Sequence, residues 1–184
     1  MDKASFALWH PRGYRYYKDN LDKLFSHHPE LNQPNFPRSI LPTVAFNIGR
    51  KVWTFRHLDP QNCPFGWCTI TALGKFDPKK GGHLILWDLG LIIEFPPGAS
   101  ICIPSALISH SNVPVSEDEE QASFTQYCSG EIFRYIENDF HTDASLKKSN
   151  PQKLAENQEK RRIRLQDGFA MFSRVSDLLK STTY

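Results

Sequence analysis

Apolar residues in this chain change their spacing twice, and the changes mark out three zones. In the first, Tyr14, Tyr17, Leu21, Leu24 and Phe25 recur at helical intervals, with Arg15, Lys18 and Asp22 between them. That spacing predicts an amphipathic helix, stopped at His28-Pro29 because the residue before a proline is pushed out of the helical region. A connector containing Pro34, Pro37 and Pro42 follows. From residue 43 to about residue 138 the pattern shortens to TVAFNI, KVWTF, FGWCTITAL, HLILWDL, LIIEF, SICIP, ASFTQYC and EIFRYI. Turn signals separate these runs: Asn47-Ile48-Gly49, Lys79-Lys80-Gly81-Gly82, Pro96-Pro97-Gly98 and the acidic Ser116-Glu117-Asp118-Glu119-Glu120. Many short strands so punctuated predict a sandwich, jelly roll or barrel, and nothing alternates strand with helix as a doubly wound fold would. From Pro151 onward helical spacing returns. Leu165, Phe169, Phe172, Val175 and Leu179 form one stripe, expected to pack on the β-core.

The length of 184 residues fits one domain spanning residues 1–184. Within it, residues 1–42 serve as helical support, 43–140 as the β-core and 141–184 as a helical extension. No apolar run approaches the roughly 20 residues of a bilayer span, and the first residues lack the apolar stretch of a signal peptide. The expectation is an intracellular protein with no membrane partner, nuclear if its substrate is DNA. Cys63, Cys68, Cys102 and Cys128 follow no metal or disulfide spacing, and buried reduced thiols are expected. The formal net charge of +2 neither demands nor excludes a nucleic-acid partner. Lys160, Arg161, Arg162 and Arg164 form a basic cluster that reads either as a solvated helix face or as a phosphate contact.

Within TFRHLDPQNCPFGW, His57 and Asp59 lie two residues apart in a β-prone run, so an extended backbone would aim both to one side. An imidazole nitrogen beside a carboxylate oxygen makes two thirds of the facial triad that holds non-haem Fe(II). A second histidine from a distant strand completes such a site. His110, in SALISHSN, lies several predicted strands downstream. That order suits a double-stranded β-helix (jelly roll) with the metal at its mouth. His83 follows a Gly-Gly turn and suits a surface or packing role, and His141-Thr142-Asp143 has no histidine after it. Phe65, Trp67 and Trp53 are aromatic walls near the first ligands, read as core ahead of a platform for a base.

Several segments in order, VAFNIG, HLDPQNCPFGWCTITALGKFDP, GGHLILWDLGLIIEFPPGASICIPSALISHSN and SFTQYCSGEIFRY, resemble the fungal branch of the TET/JBP-like dioxygenases that depend on 2-oxoglutarate and Fe(II). The resemblance covers about residues 14–140. It implies a mainly β jelly roll with flanking helices and metal ligands His57, Asp59 and His110. It also implies 2-oxoglutarate and O2 as cosubstrates, and a methylated base in DNA, of the 5-methylcytosine type, as substrate. Asn62 falls where the pattern places a base-contacting Asn, and Ser123 matches a Ser on the strand that holds 2-oxoglutarate. Two residues before that Ser the pattern has an Arg that pairs with the distal carboxylate of 2-oxoglutarate. Here the residue is Gln121, which brings no charge. Arg134 and Lys75 are the cations that would have to reach in. The alternative is a jelly roll that keeps the fold and the ligands but serves as a binding module or a transposon-linked relic. A cupin-like metalloprotein that needs no 2-oxoglutarate is the third reading.

Overall fold

The computed structural model describes residues 3–33 and 35–180. Contacts divide the chain into a β-unit, Leu41–Cys128, and a helical unit made from the segments before and after it. The β-unit holds β1 (Thr43–Asn47), β2 (Cys68–Lys75), β3 (Leu84–Leu86), β4 (Leu91–Ile93), β5 (Ser100–Ile103), β6 (His110–Asn112) and β7 (Glu120–Tyr127). They form two antiparallel sheets, ordered β1-β7-β2-β5 and β4-β3-β6.

Residues directly opposed in an antiparallel pair share a face, so the register fixes which side chains look inward. Cys68 faces Ile103, Ile70 faces Ile101 and Thr125, and Ala72 faces Ser123. Cys68, Ile70, Ala72, Ile101, Ile103 and Tyr127 then meet Leu84, Leu86 and Ile93 of the second sheet in one apolar core. The protein is thus a mainly β jelly roll, a double-stranded β-helix, with helices before and after it in the sequence.

Three predicted runs depart from strand. HLILWDL pairs only to Leu86, then turns through a 3-10 segment, Trp87–Leu89, closed by Gly90 at φ +62°, where glycine carries no steric penalty. KVWTF pairs only at Lys51, by a bridge to Gln121. Two of its backbone groups go to one side chain: Asn112 Oδ1 accepts from the Thr54 N–H at 2.7 Å, and Asn112 Nδ2 donates to the Val52 carbonyl at 3.3 Å. EIFRYI forms a helix.

In the helical unit, α1 (Lys3–Trp9) and α2 (Pro11–His27) precede the β-unit, and α3 (Gly130–Glu137), α4 (Asp143–Ser149), α5 (Pro151–Phe169) and α6 (Val175–Lys180) follow it. Helix α2 begins with Pro11 at its first position and stops at His28, as its spacing predicts. Helix α3 replaces the strand expected at EIFRYI. Ser129 caps it by accepting from the Glu131 N–H, and Phe133 and Ile136 lie buried on one face.

The apolar stripe expected after Pro151 does not form. Helix α5 ends at Phe169 and α6 starts at Val175, and Leu165, Phe169 and Val175 are exposed. The side chain of Leu179 lies outside the described residues. Phe172 stacks on His10 at 4.9 Å within the helical unit. The buried residues of α5 are Leu154, Asn157 and Gly168, and Arg161 and Arg164 are half-buried beside acidic partners. Arg161 forms a bidentate pair with Asp143, at 2.9 and 3.0 Å, and reaches Asn138 Oδ1 at 3.0 Å. Arg164 pairs with Glu137, and Arg162 with Glu159. Three of the four residues of the basic cluster are therefore already neutralised, and Asp143 has a structural task.

Hydrogen bonding from Arg161, reinforced by Asn138, holds the Asp143 carboxyl below its ordinary range. A depressed carboxyl pKa contributes stability above the unfolded value and loses it as pH falls through the folded value. Wild type is therefore expected to melt above Asp143→Asn at neutral pH, with the gap closing below about pH 4. Thermal melts by circular dichroism at pH 7 and pH 3 check this.

Candidate metal centre

The backbone sets the centre before any side chain does. His57 and His110 exchange both main-chain hydrogen bonds, at 3.0 and 2.9 Å, as an isolated antiparallel bridge that continues β6. Their rings therefore rise from the same spot, with centroids 4.3 Å apart. Asp59 is pinned two residues on by its N–H donating to the Ser105 carbonyl at 3.0 Å. The Asp59 carboxylate then faces both rings: Oδ1 lies 3.7 Å from His57 Nε2, and Oδ2 lies 3.9 Å from His110 Nε2. These gaps exceed a hydrogen bond. The three ligand atoms lie within 4.8 Å of one another and could hold a metal ion between them.

The proton positions fit that task. Nδ1 of His57 sits 2.8 Å from the Phe55 carbonyl, and Nδ1 of His110 sits 2.9 Å from the Ile108 carbonyl. A carbonyl only accepts, so each Nδ1 carries a proton, and each Nε2 is the nitrogen that faces Asp59. This is the arrangement that orients metal-bound histidines through their second nitrogen. Burial pushes His110 below its ordinary pKa, and His57 adds to this, while the Ile108 carbonyl and Asp59 oppose it. A neutral imidazole at neutral pH is the form a metal requires.

Around the carboxylate runs a short polar network that sequence spacing did not reveal. Asn62 Nδ2 donates to Ser105 Oγ at 2.9 Å and to Asp59 Oδ2 at 3.3 Å. Ser105 is fully buried and also hydrogen-bonds Cys68. Burial raises the Cys68 thiol to about 12, so it stays protonated beside the acidic centre. Cys63 and Cys128 are buried too, and Cys102 half-buried. The Asn62 amide thus holds Asp59 in place. Asn62→Ala is expected to weaken metal binding about tenfold, the lower end of the effect of losing an outer-shell partner. Isothermal titration with Fe(II) measures it.

The remaining sequence-derived positions separate. Ser123 lies on the inner face of β7 and accepts from Asn47 Nδ2 at 3.1 Å. Gln121 is buried on the same face, and its Oε1 has no hydrogen-bond partner. Arg134 belongs to the helical unit, where its guanidinium pairs with Glu131 at 2.9 Å. Lys75 is exposed at the end of β2, and His83 is half-buried. Phe65 is core, as expected, but Trp53 is 43% exposed and packs edge-on against Phe55, itself 78% exposed, at 4.6 Å. Arg56 lies over the half-exposed Trp87 ring at 5.4 Å. This exposed aromatic group beside His57 was not legible in the sequence, where apolar rings in a strand-like run read as core.

No family model and no curated protein matches the chain. Among solved structures, NgTET1 in complex with 5mC DNA is similar at TM-score 0.44 and 14% identity, over 58% of this chain and 42% of that one. The chain therefore spans less than half the length of that protein. The viral collagen prolyl hydroxylase vCPH from Paramecium Bursaria Chlorella virus-1, in its 2OG complex, is similar at TM-score 0.33 and 13% identity, over 59% of this chain and 68% of that one. Identities this low carry no residue-level information, so the roles of His57, Asp59 and His110 rest on their own geometry. No helix among the described residues is long and apolar enough to cross a membrane.

Proposed function

We infer that the chain is an Fe(II)-dependent dioxygenase of the 2-oxoglutarate-using, TET/JBP-like kind. The observation that carries this is the convergence of two Nε2 atoms and one carboxylate, with each Nδ1 fixed on a carbonyl. His57, Asp59 and His110 would hold the ion on one side, which suits a metal that must leave positions open. When bound, Fe(II) with a 2-oxo acid supplies the oxidation of a substrate C–H bond by O2.

The chain's own residues supply the rest. Asn62 and Ser105 orient Asp59, and the Phe55 and Ile108 carbonyls fix the rings. Trp53 and Phe55 offer exposed ring surface next to His57, on which a flat, extruded base can stack. Together with the resemblance of HLDPQNCPFGW and its partner segments, this supports the methyl group of a 5-methylcytosine-type base in DNA as substrate. Lys51 and Lys79 in the β-unit are exposed cations for the phosphate backbone, while the exposed Arg50 and Lys80 also pair with Glu120 and Asp77.

The metal ligands fit Fe(II). A second carboxylate at the far end of the cosubstrate fits less well, since Gln121 stands where a cation is needed. The test is incubation of oligonucleotides containing 5-methylcytosine or cytosine with the protein, Fe(II), O2 and a 2-oxo acid, followed by mass spectrometry of the bases. The account expects oxidation of the methyl group only, abolished in His57→Ala. Intact bases and unconsumed 2-oxo acid would favour the binding-module reading.

A further inference from the structure

We propose that Gln121 makes the inner sheet face a site for the uncharged polar end of an organic ligand. On the iron–2-oxo acid reading given above, on which this rests, the cosubstrate is then a 2-oxo acid whose far end is neutral. The starting observation is a buried polar group with nothing to bond. Gln121 is 4% exposed, and its side-chain oxygen has no hydrogen-bond partner. Its backbone is not free to move the amide away. The Gln121 N–H donates to the Arg50 carbonyl at 2.7 Å, and the Val52 N–H donates to the Gln121 carbonyl at 2.9 Å.

The surroundings are polar but uncharged. Gln121, Ser123 and Thr125 alternate along the inner face of β7, with Asn47 bonded to Ser123 on β1. Across the ladder from Gln121 stands Gly74, at φ +121°, so no side chain covers the amide from there. A Cβ at Gly74 would lie 2.1 Å from the Glu120 carbonyl oxygen, so the position stays bare. By the register, the inward positions of all seven strands include no lysine or arginine. The cations nearest in the chain, Arg50 and Lys51, are exposed, and Arg50 pairs with Glu120 at 3.3 Å.

The cation in register with Gln121, Lys51 across a parallel bridge, is exposed, so a carboxylate held against the buried amide would have no buried counter-charge, and an unpaired buried charge is strongly disfavoured. A neutral polar end meets no such penalty. The amide accepts from it through Oε1 or, turned over, donates to it through its N–H2.

The experiment is an anaerobic titration of the Fe(II)-loaded protein with 2-oxoglutarate and with its 5-methyl ester, which has the same length and no distal charge. The visible absorption of the iron–2-oxo acid chelate is the readout. The ester is expected to half-saturate the wild type at a concentration at least tenfold lower than 2-oxoglutarate. Gln121→Arg is expected to reverse that order, and Gln121→Leu, which keeps a buried neutral side chain should the arginine not fold, to weaken the ester. Equal or tighter binding of 2-oxoglutarate by the wild type would overturn the inference and leave the dioxygenase reading standing. Chelate bands with neither compound, in wild type and variants alike, would overturn both.

Discussion

Asp59→Ala is expected to abolish Fe(II) binding, lowering affinity at least a hundredfold. Loss of an outer-shell partner alone costs about ten- to a hundredfold, and Asp59 is the only anion in the trio. It also stands between the two rings, with one oxygen toward each. Removing it leaves two neutral imidazoles facing an unbalanced dication. The fold should survive, because Asp59 is held by its backbone N–H and by Asn62, and its side chain is part-exposed. Circular dichroism unchanged from wild type, together with lost iron binding, checks both halves. Asp59→Asn keeps the Asn62 contact and removes the charge, so it should bind iron almost as poorly.

Phe133→Ala is expected to cost about 3–5 kcal/mol of stability, the range for truncating a buried aromatic ring. Phe133 is 2% exposed on α3, and its ring lies 5.0 Å from those of both Tyr16 and Tyr17 on α2. The truncation removes the ring that joins these helices and leaves a cavity that two tyrosines cannot fill without moving. Denaturant unfolding followed by tyrosine and tryptophan fluorescence measures the loss. A cost under about 1 kcal/mol, the scale of an ordinary surface change, would contradict the packing described here.

That helix also shows where sequence reading stops. EIFRYI is rich in β-branched and aromatic residues and follows a genuine strand, so local propensity favours extension. The helix is set instead by the Ser129 cap and by Phe133 and Ile136, whose partners Tyr17, Leu21 and Leu24 lie more than a hundred residues earlier. Helix α2 was legible because its apolar spacing alone defines a face. The arginine face of α5 was not, since Asp143 and Glu137 become its partners only after folding.

At the candidate metal centre the division is similar. His57 and Asp59 were legible from their two-residue spacing and His110 from its place in the strand order, although the segment around His57 proves to be a single bridge rather than a strand. Asn62 and Ser105 could not be read as supports of Asp59, because their hydrogen bond spans 43 residues. Gln121 was legible as a departure from an expected arginine. Its unpartnered oxygen was not, because that depends on which strand lies opposite and on Gly74 there.

The most direct test is X-ray absorption spectroscopy of the protein loaded anaerobically with one equivalent of Fe(II). The account predicts outer-shell scattering from two imidazoles, reduced to one imidazole in His110→Ala. Iron that shows no imidazole scattering, or a spectrum identical in wild type and His110→Ala, would contradict it.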